Sequence, residues 1–205
     1  MRVKIFLSEP GWGHIVRQSS IVYELRKVFP ELQITIQSKK NPIILKKFFG
    51  KFNYIKSDNL IKWFSNERGE IDKEKIKNYY KNYETKSKVW FKKFKKDKNY
   101  NFFISDVSPE AFKLGADLKI PTFGVCHFTW DWFFSKISKK LVSTKIIHNW
   151  QKYQKTAIKF FFPPFTPKKC LKNYKNHKNI NFILKKIVNK RNLYIDKNLN
   201  KKIKV

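Results

Sequence analysis

Acidic residues are scarce in this chain. Fifteen Asp and Glu stand against 46 Lys and Arg in 205 residues, a formal net charge of +31. Such a surface attracts phosphate, either of nucleic acid or of an anionic bilayer. Arginine is scarce as well: Arg2, Arg17, Arg26, Arg68 and Arg191 are the five present. Nucleic-acid sites favour arginine for bidentate and stacking contacts, so a nucleic-acid partner is not the expectation. The wealth of Lys, Asn, Ile, Phe and Tyr matches an A/T-rich coding sequence, and compositional drift is the main expected source of the charge. Cysteine is nearly absent. Cys126 and Cys170 supply neither a metal-ligand spacing nor a disulfide framework, which fits a reducing cytosol. Long hydrophobic runs are missing too. None reaches the roughly 18 residues a membrane span needs, and Met1 to Leu7 is too short for a signal core. The expectation is a cytoplasmic protein, soluble or held peripherally at the inner face of a membrane.

What is present is a core. Hydrophobic residues make up 41% of the chain, which excludes a disordered basic tail. Val3 to Leu7 reads as a buried strand. Ile15, Val22, Leu25 and Phe29 then recur at helical spacing, and Pro30 ends that helix. Leu32 to Ile36 alternates and is rich in β-branched residues, so it reads as a second strand. A strand–helix–strand unit of this length predicts a parallel sheet with right-handed crossovers. Further strands are predicted at 52–55, 101–106, 121–126 and 159–162, with helices at 41–49, 108–118 and 143–158. Residues 72–96 read as one long helix with Ile76, Tyr80, Tyr83, Trp90 and Phe94 near one face and lysine on the other. That face is a candidate platform for anionic lipid. Past Phe165 the chain turns to Lys and Asn, with a thin apolar pattern at Ile180, Ile183, Leu184 and Ile187 and a candidate strand at 193–195.

Chemistry is predicted at the turn Glu9-Pro10-Gly11-Trp12-Gly13-His14, between the first strand and the first helix. Glycine lets a backbone approach a ligand closely, and the helix N-terminus presents unpaired N–H groups. No P-loop is present. A dinucleotide fingerprint fails, because its third glycine falls at Val16 and its acid falls among Gln37-Ser38-Lys39. His14 can act as a base, and a carboxylate on its far ring nitrogen would fix the tautomer. Strand C-terminal ends share one edge in such a sheet. His14 follows the first strand and Asp106 ends a later one, so the two are expected in one crevice. The bland alternatives are a turn-stabilising His14 and an Asp106 that caps the helix beginning at Ser108-Pro109; Asp131 could cap its own helix.

Gly11-Trp12-Gly13-His14-Ile15-Val16-Arg17, ahead of Leu25-Arg26, resembles the Gly-x-Gly-His-x-x-Arg opening of GT-B glycosyltransferase-like proteins, the UDP-glycosyltransferase and MurG-type group. Ile104 to Phe112 is similar to that group's later strand–Asp–helix segment. Leu118 to Val125 is similar to its isoleucine-proline entry to the next strand. Phe128-Thr129-Trp130-Asp131-Trp132 resembles the glycosyltransferase-like lobe of some sugar kinases. The resemblance covers residues 1–164 and implies a single GT-B-type N-terminal lobe, an α/β fold with a parallel Rossmann-like sheet flanked by helices. It implies an acceptor-binding half of an inverting, nucleotide-sugar-dependent transferase, with His14 as base and Asp106 as its partner. Gly11, Trp12, Gly13, Arg17, Trp130 and Asp131 would bind substrate. The implied partners are a nucleotide-sugar donor and a hydroxyl acceptor, which a lipid could carry; no metal or cofactor is implied. Residues 165–205 are then a basic linker or the opening of a second lobe. The donor lobe's sugar and diphosphate sites do not occur in this sequence, so a fragment, a half-enzyme paired with a donor-lobe subunit, and a degenerate remnant all stay open. A non-catalytic basic module for anionic lipid or RNA is the alternative from another class.

Overall fold

The computed structural model describes residues 1–8, 11–57, 59–137, 141–181 and 183. Glu9 and Pro10 of the predicted turn lie outside these residues, as do Leu184, Ile187 and the candidate strand at 193–195. In chain order the elements are β1 (Arg2–Phe6), α1 (Gly13–Val28), β2 (Gln33–Ser38), α2 (Pro42–Phe49) and β3 (Asn53–Lys56). Then come α3 (Lys73–Lys81), α4 (Tyr83–Phe94), β4 (Phe102–Ser105), α5 (Pro109–Leu118) and β5 (Thr122–Val125). The chain continues through α6 (Trp130–Ile137), α7 (Thr144–Gln154), β6 (Lys159–Phe162), α8 (Lys168–Leu171) and β7 (His177–Asn179).

The strands form one sheet in the order β3-β2-β1-β4-β5-β6-β7, and every pairing is parallel. The predicted Rossmann-like α/β arrangement is therefore the observed one. The order reverses beside β1, which pairs with β2 on one side and β4 on the other. That reversal is where open parallel sheets place their ligands. The sheet also runs past residue 164: β7 pairs with β6, with Phe160 opposite His177, so part of the segment read as a linker belongs to this lobe.

Strand alternation sends neighbouring residues of β1 to opposite layers. Val3 and Ile5, followed by Leu7, pack with Ile34, Ile36 and Ile104 beneath Ile15 and Val22 of α1. Phe6 and Phe103 enter the other layer with Trp90, Phe94, Phe112, Phe134 and Trp150. Each such side chain, fully buried, contributes about 1.5–3 kcal/mol. Phe29, expected on the buried side of α1, lies just past its end and is exposed.

The long helix predicted for 72–96 is two helices that meet at Asn82. Tyr80, Tyr83, Trp90 and Phe94 are buried in the core, so these rings are not available to a lipid boundary; the lysines beside them remain outside. Their burial has a specific partner set. The Trp150 indole N–H donates to Tyr83 Oη at 2.6 Å, and the Tyr83 hydroxyl donates to Glu110, which also accepts from Ser108 Oγ at 3.0 Å. This network ties α4, α5 and α7 together beneath the sheet. Burial raises the Glu110 carboxyl above its usual range, against the pull of its hydrogen bonds.

Candidate active site

The parallel sheet delivers four connections to one edge: described residues 7–8 and 11–12 after β1, 106–108 after β4, 126–129 after β5 and 163–167 after β6. The first two are stitched together. Asp106 N–H donates to Phe6 C=O at 3.0 Å and continues the β1–β4 ladder by one residue. Ser8 N–H donates to Asp106 Oδ2 at 3.3 Å, and Ser8 Oγ donates to the Asp106 carbonyl. Val107 then takes φ +72°, a left-handed conformation costly for a β-branched residue, by about 1–3 kcal/mol. Ser105 Oγ closes this corner onto Ser108 C=O at 2.8 Å.

Asp106 is fully buried and holds two side chains of α1. His14 Nδ1 lies 2.7 Å from Oδ2, and Arg17 Nη2 donates to Oδ1. His14 and Arg17 are one helical turn apart, so both face the sheet edge. Burial alone would push the Asp106 carboxyl up. The Arg17 charge and then His14 more than offset this, holding it at about 2. An ionised carboxylate only accepts hydrogen bonds, so His14 Nδ1 carries a proton, and in the neutral ring Nε2 holds the free lone pair. Arg17 Nη2 also lies 3.0 Å from Nδ1. Two donors cannot bond each other, so the guanidinium's bond here is the one to Asp106.

A cavity of about 410 Å³ opens in front of this group, lined by Gly11, Gly13, His14 and Arg17 on one side and by Val107, His127, Phe128 and Pro163 on the other. His127 was not among the residues singled out from sequence. The signal was available: it lies just beyond β5, at the same edge that nominated Asp106. Burial, then the Arg17 charge, lowers the His127 pKa below the ordinary 6.5. Three larger cavities, of about 690, 740 and 530 Å³, bring no carboxylate and histidine together among the described residues.

The other expected residues fall differently. Trp12 is 58% exposed and packs on Phe48, with ring centroids 6.0 Å apart, beside the cavity and not in its wall. Trp130 and Asp131 do not reach the cavity. Both are buried in α6, where Trp130 packs on Phe128, Phe133 and Phe134. Asp131 Oδ1 accepts from Gln154 at 2.9 Å and from Tyr174 at 2.8 Å, and the residue lies inside its helix rather than at its cap. These two bonds tie α6 to α7 and to the segment before β7. Among the described residues no cluster of three metal-ligating side chains occurs, and no helix is long and apolar enough to cross a membrane.

No family model matches the chain, and no curated protein matches its sequence. Solved structures do. Phytolacca americana UGT2, complexed with UDP-2-fluoro-glucose and pterostilbene, superposes with a TM-score of 0.54 at 13% identity, over 90% of this chain and 55% of that one. LpCGTa in complex with UDP gives 0.55 at 10% identity, over 90% and 53%. The chain has the fold of a GT-B glycosyltransferase lobe. A third match, a UDP-glucosyltransferase from Polygonum tinctorium capable of glucosylating indoxyl, gives 0.52 at 11% identity, over 90% and 53%. This GT-B-type lobe thus spans about half the length of the proteins it resembles.

Proposed function

We propose that this lobe is the acceptor-binding half of an inverting glycosyltransferase, with His14 as the base and Asp106 as its orienting acid. The observation that carries the reading is the 2.7 Å contact between His14 Nδ1 and a buried carboxylate at the edge of a GT-B-type sheet. Support comes from the similar structures, which hold UDP, or UDP-2-fluoro-glucose and pterostilbene. In the proposed step His14 Nε2 takes the acceptor hydroxyl proton. The acceptor oxygen bonds the anomeric carbon from the face opposite the leaving group. The anomeric carbon–oxygen bond breaks, and the nucleoside diphosphate departs with the electron pair. The donor would be held by a second lobe, from a longer product or another chain.

The test is transfer of a labelled sugar by this chain together with a donor-binding lobe co-expressed with it. His14→Ala should lower the rate by at least about 100-fold, the usual range for a positioned base. Undiminished transfer by the alanine variant would remove His14 from the mechanism. The second reading, a basic module that docks on anionic surfaces, rests on the exposed lysines of α3 and α4. It requires binding to anionic vesicles or RNA that falls steeply with salt, and salt-independent or absent binding would end it.

A further inference from the structure

We propose that a second cavity, at the edge of the sheet opposite His14 and Asp106, binds a small phosphate monoester whose body carries a hydrogen-bond donor. The cavity measures about 690 Å³, within the usual range for small-molecule sites. Its wall is built from the last turn of α7, the start of β6 and residues 172–176. The last turn of α7 precedes β6 and residues 172–176 precede β7, whereas His14 and Asp106 follow β1 and β4. Because every strand pairing is parallel, the two cavities lie at opposite edges.

The floor is apolar and fixed. Phe160 and Tyr174 are buried, with ring centroids 4.8 Å apart. Phe160 N–H donates to Asn176 C=O at 2.8 Å, and the Tyr174 hydroxyl donates to Asp131 at 2.8 Å. These contacts hold residues 174–176 against the sheet. The chain by itself forms the cavity, which lowers the cost of ordering a site around a ligand.

Two features of the wall point to the ligand's chemistry. The first is an acceptor left over. Gln154 lines the cavity at 1% exposure. Its Nε2 donates to Asp131 Oδ1 at 2.9 Å and to Trp150 C=O at 3.1 Å, and two acceptors on that side fix the orientation of the amide. Neither Asp131 nor Trp150 lines the cavity. The other end of the amide, Oε1, is buried with no hydrogen-bond partner among the described residues. A buried acceptor without a donor is destabilising, and a ligand N–H or O–H that reaches it removes the penalty. With Nε2 committed, Gln154 has only an acceptor to offer, so the ligand brings the donor. The second feature is charge. Lys155, Lys172 and Lys175 line the same cavity, and no carboxylate does. A phosphate monoester carries about −1.5 to −2 at pH 7, a better match to three ammonium groups than the single charge of a carboxylate. Lysine meets phosphate as a point charge and demands no fixed angle, which suits side chains on an exposed rim. Gln154 within and lysines at the rim thus orient the ligand: its donor-bearing body enters, and its phosphate stays at the mouth.

The experiment is calorimetric titration of the full chain, at fixed ionic strength, with uridine monophosphate, glucose 1-phosphate, phenyl phosphate and inorganic phosphate. The first two carry donors on the body, and phenyl phosphate carries none. One of the first two should bind at least about tenfold more tightly than phenyl phosphate or inorganic phosphate, the weight of one hydrogen bond to an otherwise unpaired acceptor. Lys172→Gln and Lys175→Gln, made together, should weaken that binding at least about tenfold. Lys73→Gln and Lys77→Gln on α3, made together, remove the same charge and should leave it unchanged. All four lysines are exposed, so neither pair of changes disturbs the core. The tighter of the two donor-bearing probes assigns the source, a nucleotide or a sugar phosphate. Phenyl phosphate bound as tightly as either would overturn the proposed class. Equal weakening by both pairs would mean that the net charge of the chain holds the ligand and would overturn the site, as would no binding by wild type. Binding lost in His14→Ala and untouched by the changes at Lys172 and Lys175 would put the ligand in the cavity before His14, and would also overturn the proposal.

Discussion

Acidification should dismantle the Asp106 cluster over a defined pH window. The carboxyl sits at about 2 in the folded chain, against an ordinary 3.8. A depressed folded value contributes stability above the unfolded pKa, and that contribution is lost as pH falls from about 4 through about 2. At 1.36 kcal/mol per unit, the loss is about 2 kcal/mol. For a chain of this size, each kcal/mol shifts Tm by about 2–4 °C, so the window corresponds to roughly 4–8 °C. Other acids titrate over the same range, so the informative quantity is a difference. Urea unfolding of wild type and Asp106→Asn, followed from pH 5 to pH 2, isolates this group. Asp106→Asn should be less stable at pH 5, because Arg17 is left buried without its anion, at a cost of about 3–5 kcal/mol. The gap between the two proteins should then narrow by about 2 kcal/mol on the way to pH 2. Parallel curves would show that Asp106 is not held ionised by Arg17 and His14.

Glu110 should behave in the opposite sense: its folded value is raised, so stability falls as pH rises above the ordinary 4.5. Glu110→Gln should flatten that slope in urea unfolding from pH 4 to pH 8. The His127 ring should titrate below 6.5 by NMR, and its midpoint should move up in Arg17→Gln, since the Arg17 charge is the second cause of the depression after burial. Gly115→Ala should destabilise by about 1–3 kcal/mol, because its Cβ would lie 2.0 Å from Thr122 Oγ1 and 2.8 Å from Ile120 C=O. A Cβ added at Gly13 meets nothing within 4 Å among the described residues, so Gly13→Ala should leave stability unchanged or raise it by up to about 1 kcal/mol in urea unfolding.

The parts of this molecule that depend on local pattern were readable from the chain. Val3 to Leu7, the helix after it and the β-branched strand at 32–36 announced a parallel sheet, and the rule that strand ends share an edge brought His14 to Asp106 across 92 positions. What pattern could not supply was competition among partners. Arg17 reads from the sequence as a residue facing substrate, and pattern alone does not show that its guanidinium also donates to Asp106. Asp131 looked like a polar group beside the site, yet Gln154 and Tyr174, from two later segments, bury it. The break at Asn82 was hidden because Tyr80 and Tyr83 keep an apolar face continuous across it, so periodicity read one helix where two turn a corner. β7 was missed because its three residues, His177, Lys178 and Asn179, have no apolar pattern; pairing with β6, not burial, makes them a strand.

The central place of β1 has a consequence for the order in which this protein is made. Arg17 and Asp106 are 89 residues apart in the chain. At a synthesis rate of about 5–20 residues per second, the ribosome emits the arginine roughly 4–18 s before the acid that neutralises it. Over that interval β1 has β2 for a neighbour and no β4, and one of its edges stays open. The site is therefore a product of late, long-range closure, of the kind that makes parallel sheets slow to fold. A ribosome stalled before Phe102 would hold a nascent lobe with half a sheet and an arginine still waiting for its counter-ion.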